Sequence, residues 1–115
     1  MFMRPPPVKT NASDFKDARL DEFVKRHLDE FDIICHQEVF TTLNTRKQRL
    51  ITYAKKAGYT YHAVNDMPSL FSGYATDGGL LTLSRFPIIE SEFMPYDYGV
   101  VSDALSYKGV LYTKI

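Results

Sequence analysis

The segment Asp32-Ile-Ile-Cys-His-Gln-Glu38-Val-Phe40 places a carboxylate directly after a run of apolar, β-prone residues. Burying an ionised Glu there costs several kcal/mol, on the order of the penalty per buried ion, unless a positive partner compensates. Two partners fit. One is a Lys or Arg from the next layer; the other is a divalent cation, and Mg²⁺ suits a lone carboxylate because it keeps several waters and few protein ligands. The carboxyl end of a strand is also where open α/β sheets place their ligand crevice. His36 lies two residues earlier on the same strand face, as a base, a supporting partner or a core histidine bonded to backbone. Cys35, the single cysteine, reads as a small core hydrophobe rather than a catalytic thiol.

Two further groupings are candidates. Asp103-Ala-Leu-Ser-Tyr-Lys108-Gly109 puts opposite charges five residues apart ahead of a strand. As a solvated loop pair it contributes about 0–1 kcal/mol; as a functional pair, Lys108 meets a phosphate while Asp103 restrains it. Asp77-Gly78-Gly79 is explained by turn chemistry, although Gly79 also permits close backbone approach to a ligand. No Cys/His cluster has zinc spacing, no phosphate-binding glycine loop precedes a helix, and no nucleophile elbow is present.

These residues need strands and helices to hold them. Pro5, Pro6 and Pro7 impose an extended start, after which Asn11 or Ser13 can cap a helix beginning near Asp14. Its apolar face comprises Phe15, Ala18, Phe23, Val24, Leu28 and Phe31. A strand over residues 32–37, lacking strict alternation, suggests burial on both faces. A second helix is predicted over 41–57, ended by Gly58, then strands over 59–64 and 79–84. The intervening 66–79 stretch, with Pro68, Gly73, Gly78 and Gly79, reads as a long loop of the kind that is often functional. Strands over 88–96 and 109–115 complete a layered α/β order.

The bulk numbers bound the function. Fourteen basic residues balance fourteen acidic ones in 115 residues, which argues against broad polyanion binding and makes nucleic acid an unlikely partner. No apolar run spans a bilayer, and the N-terminus lacks the continuous apolar centre of a signal peptide. A cytoplasmic or peripheral membrane location is the corresponding expectation. Phe93, Met94, Tyr96 and Tyr98 either cover the core or sit at an interface that favours amphipathic aromatics, and Tyr74 in the long loop is able to make a cation–π contact.

Three segments together resemble the endonuclease/exonuclease/phosphatase superfamily. Residues 32–40 look like its Gln-Glu strand, Asp77-Gly-Gly-Leu-Leu-Thr-Leu-Ser-Arg-Phe-Pro-Ile88 is similar to its Gly-Gly-Leu and Ser-Arg-x-Pro-Ile strand, and residues 103–111 resemble the neutral sphingomyelinase-like branch. The resemblance covers residues 14–115 and implies the N-terminal half of a four-layer α/β/β/α sandwich with a mixed sheet, incomplete over 1–115. It implies Glu38 as a Mg²⁺ ligand, and Asp103 with Lys108 as a switch beside the active site. It further implies a sphingolipid head group as substrate, with peripheral membrane contact. Phe2-Met-Arg-Pro-Pro looks like the sequence just after the Asn that ends the family's first strand, and no Asn stands before it here. An Asp-x-Asn pair and a terminal Asp-His, which the family also uses, have no counterpart either, so the chain is expected to be inactive alone. A half domain would also expose an apolar sheet face and an unpaired edge, awaiting the remainder of the domain. The alternatives are a nuclease or phosphoinositide phosphatase of the same superfamily, or a non-catalytic interaction module.

Overall fold

The structure, a computed structural model, describes residues 15–40, 45–65, 77–97 and 107–115. The proline-rich start, the Asn11 or Ser13 cap, Tyr74, Tyr98 and Asp103 lie outside these residues.

Helix α1 (Lys16–Arg26) carries Asp17 in its first turn and Lys25 and Arg26 in its last, charges that match the helix dipole. Leu20, Phe23 and Val24 turn one narrow stripe inward, continued by Leu28 beyond the helix. Phe15 and Phe31, expected on this face, lie outside the helix and are exposed, and Ala18 within it is exposed as well. Helix α2 (Arg46–Lys56) buries Lys47, Leu50, Ile51 and Ala54, the 3–4 spacing of one helix face. Gly58, with φ +95°, follows its C-cap as the sequence predicts.

Strands β1 (Ile33–His36), β2 (Tyr61–Val64) and β3 (Leu81–Ser84) form an antiparallel sheet in the order β1-β3-β2. His36 stands opposite Leu81 and Val64 also opposite Leu81, so β3 is paired on both sides. All four β3 residues are buried. Strands β4 (Glu90–Pro95) and β5 (Gly109–Lys114) pair separately, with Glu90 opposite Lys114 and Pro95 opposite Gly109. Every pair among the described strands is antiparallel, so the parallel pairing that a mixed sheet would include does not occur among them.

The burial expected on both faces of β1 belongs instead to β3. Among the described strands β1 lies at the edge: Ile34 and His36 face inward, while Ile33 and Cys35 are exposed. Cys35 is therefore not the core hydrophobe anticipated from its apolar neighbours; it lies on the open face, its Sγ 3.9 Å from the Thr82 hydroxyl. Tyr61, on the same face of the other edge strand, is exposed as well. Met94, Tyr96, Val110 and Tyr112 leave apolar surface exposed on the β4–β5 pair, so Met94 and Tyr96 do not serve as core cover.

The core joins both helices to one face of the three-stranded sheet through Leu20, Leu28, Leu50, Ile51, Ala54, Tyr59, Leu81 and Leu83. Tyr59 is fully buried with its hydroxyl against the Leu28 and Phe31 carbonyls. Arg85 covers its ring at 4.4 Å from the centroid and donates 2.7 Å to the Ala57 carbonyl at the end of α2.

Candidate active site

Glu38 lies just past the end of β1, in a backbone conformation that side chains rarely adopt. Its φ is 59°, the one positive value at a non-glycine among the described residues. Such a conformation costs on the order of 1–3 kcal/mol and persists only where surrounding contacts enforce it. The enforcing contacts come from the turn before β3. The Val39 N–H donates 2.8 Å to the Gly79 carbonyl. Gly79 itself has φ +68°, and a Cβ there would stand 2.9 Å from the Glu38 Cα and 3.0 Å from the Phe40 ring. Only glycine allows that approach. The space it leaves is taken by the protein's own backbone, not by a ligand.

The same turn touches the segment that carries Lys108. A Cβ on Gly78 would meet the Tyr107 carbonyl at 2.5 Å, so the two backbones are in direct contact. Lys108 is half-buried there, its carbonyl accepting 2.9 Å from the Tyr96 N–H. The Gly78-Gly79 pair thus has Glu38 on one side and the Tyr107–Lys108 backbone on the other. Asp103 is outside the described residues.

Beneath the turn lies an ion pair that the sequence did not reveal. Asp77 is 0% exposed and pairs with Lys47 from the first turn of α2, itself buried. Asn65, also buried, accepts 2.8 Å from the Leu80 N–H and lies against Gly78. Turn chemistry alone accounts for the glycines but not for a carboxylate taken wholly out of water. The one signal in the sequence was a lysine among the otherwise apolar inward positions of α2, at the same spacing as Leu50, Ile51 and Ala54.

Two buried polar atoms near the strand end lack partners. Glu38 Oε2 is shielded from solvent with no hydrogen-bond donor. A buried acceptor left unsatisfied costs about 1–3 kcal/mol, and more when charged. The pairing with a Lys or Arg that the sequence allowed is not found at this oxygen, so a hard cation fits it. Among the described residues no three His, Cys, Asp or Glu side chains converge as a metal-binding group. Among the described residues Glu38 could supply one oxygen ligand, a contribution that suits Mg²⁺ because it needs few protein ligands. The second atom is His36 Nε2. His36 is 7% exposed and packs edge-on to Phe23 at 5.0 Å. Burial lowers its pKa to about 4, so the ring is neutral near pH 7. Its core location agrees with the sequence; the backbone hydrogen bond expected for it is missing at Nε2.

The comparisons with known proteins bear on this arrangement. No protein-family model matches the chain. It is 41% identical over 109 residues to a sphingomyelinase of Dictyostelium discoideum, an alignment covering 94% of this chain and 23% of that protein. It is 35% identical over 91 residues to sphingomyelin phosphodiesterase 5 of Danio rerio, covering 73% of this chain and 16% of that one. A crystal structure of beta toxin from Staphylococcus aureus superposes with a TM-score of 0.71 at 25% identity, over 84% of this chain and 36% of the toxin chain. The chain is similar to the neutral sphingomyelinase-like branch of the endonuclease/exonuclease/phosphatase superfamily. SmcL shares the fold of this sphingomyelinase-like chain, with a TM-score of 0.70. The chain spans about a quarter or less of the length of the curated relatives it matches.

Proposed function

We propose that the protein bearing this chain hydrolyses the phosphodiester of sphingomyelin, releasing phosphocholine and leaving ceramide, with Glu38 as one ligand of a catalytic Mg²⁺. The observation that carries this reading is the buried, partnerless Glu38 Oε2 at the end of β1. It is supported by 41% identity to a protein named a sphingomyelinase. When bound, a divalent cation supplies charge that stabilises the negative charge developing on phosphodiester oxygens.

The chain's own residues have narrower tasks. Glu38 holds its carboxylate where the strand ends, in a conformation fixed by contact with Gly79. Lys108 presents a point charge to a phosphate oxygen, and Asp103 restrains that lysine until substrate arrives. The substrate is the head group of a sphingolipid, met at a lipid surface. No helix among the described residues is long and apolar enough to cross a membrane.

In this reading the 115-residue chain alone does not turn over substrate. The general base and the remaining cation ligands that the family resemblance implies have no counterpart in its sequence. Groups that act as a unit lose nearly all of their effect when any one is removed. The test is phosphocholine release from sphingomyelin vesicles, with and without Mg²⁺, by the purified chain and by a form extended to the length of its relatives. Release is expected from the longer form only; Mg²⁺-dependent release by the 115-residue chain would overturn the assignment of inactivity.

A further inference from the structure

We infer that the buried Lys47–Asp77 pair is a positioning device for the candidate site, one that sets the Gly78-Gly79 turn against both Glu38 and the Tyr107–Lys108 backbone. For Glu38 as a cation ligand, the inference rests on the proposed function above. Three observations converge on it. Asp77 and Lys47 are both nearly solvent-free, with side chains 1% and 7% exposed, so their pairing ties the turn before β3 to the first turn of α2. Gly79, two residues along, lies so near Glu38 that a Cβ on it would stand 2.9 Å from the Glu38 Cα, and its carbonyl accepts the Val39 N–H next to the positive φ of Glu38. Gly78, between them, is in contact with the Tyr107 carbonyl one residue before Lys108.

A buried ion pair is weak support for stability, since apolar replacements of similar volume often do as well. Its directional value is greater: a charge-assisted bond fixes where the turn sits relative to the helix. A two-residue glycine turn has little stiffness of its own. With Asp77 anchored, the two glycines have no freedom to drift, and the strands ending at Glu38 and starting near Lys108 are spaced by them. Neither Lys47 nor Asp77 is assigned contact with substrate or cation.

The test uses the isotopically labelled 115-residue chain in NMR, with Mn²⁺ as a paramagnetic probe. Glu38 shifts and one-bond Cα–Hα coupling report its positive φ; broadening of the Glu38, Val39 and Gly79 amides reports Mn²⁺ nearby. Asp77→Asn is expected to move the Glu38 signals away from the left-handed signature, to shift the Tyr107 and Lys108 amides, and to raise the Mn²⁺ midpoint at least five-fold. The Leu20 and Leu50 methyl signals should stay in place. Lys47→Arg with Asp77 intact keeps the ion pair and should leave the Glu38 and Lys108 signals close to their wild-type positions. If Asp77→Asn does not fold, Gly79→Ala tests the same linkage with the ion pair intact, and the Glu38 signals should again move. Unchanged Glu38 and Lys108 signals in a folded Asp77→Asn or Gly79→Ala chain would overturn the inference. Glu38→Gln separates the two claims: Mn²⁺ broadening that survives it defeats the cation reading, while the coupling at residue 38 still judges the positioning.

Discussion

The two ends of β3 each hold a buried or half-buried cation, and they are built on opposite plans. At the C-terminal end, Arg85 is satisfied several times over. It covers the Tyr59 ring, donates to the Ala57 and Phe31 carbonyls and reaches the Asp29 and Asp32 carboxylates. At the N-terminal end, Lys47 and Asp77 lie under a turn with positive φ at Gly79, beside a strained Glu38 whose Oε2 has no partner. One end ties α2, the α1–β1 connection and β3 together through the Arg85 guanidinium. The other spends stability on an unusual backbone and an unpaired carboxylate oxygen. Strain and unmet polar groups concentrate at sites of function, and the contrast supports the proposal that places the cation at the Glu38 end.

Substitutions should break that contrast in a definite order. Glu38→Gln in the longer protein should lower Mg²⁺-supported phosphocholine release about 10²–10³-fold, while urea unfolding shows stability unchanged or raised, because the substitution removes a carboxylate whose shielded Oε2 has no donor. A fall in stability of several kcal/mol would instead assign Glu38 to the scaffold. Asp77→Ala leaves Lys47 buried beside no carboxylate and should cost about 3–5 kcal/mol in the same unfolding assay. Replacing both partners with apolar residues, Lys47→Met with Asp77→Leu, should recover much of that loss. At the other end, Arg85→Lys loses the fork that serves two carbonyls at once and should cost about 1–3 kcal/mol without altering Mn²⁺ binding. An effect of Arg85→Lys on cation affinity would blur the division between the two ends. Smallest of all, Arg49→Ala removes the exposed bridges to Asp17 and Asp21 across the two helices and should change the unfolding free energy by less than about 1 kcal/mol.

The element order was legible because both helices and the strands carry strong local patterns. Residues 47, 50, 51 and 54 repeat at helical spacing, and Gly58 stops the helix where a left-handed residue is needed. Which strand lies at the centre was not legible. β1 and β3 are similarly apolar, and only pairing decides that β3 has neighbours on both sides while β1 exposes Cys35. The site shows the same division. Glu38 stood out as a charge ending an apolar run, and that is visible in one dimension. Its positive φ, the Gly79 contact that enforces it and the pairing of Asp77 with Lys47, thirty residues apart, depend on segments meeting in space.

The account turns on whether Glu38 holds a divalent cation. Crystals of the chain soaked in Mn²⁺ and measured at the manganese absorption edge would decide it. An anomalous peak about 2 Å from a Glu38 carboxylate oxygen, lost in Glu38→Gln, is the predicted result. No peak at that carboxylate, with Glu38 instead bonded to a lysine or arginine, would contradict it.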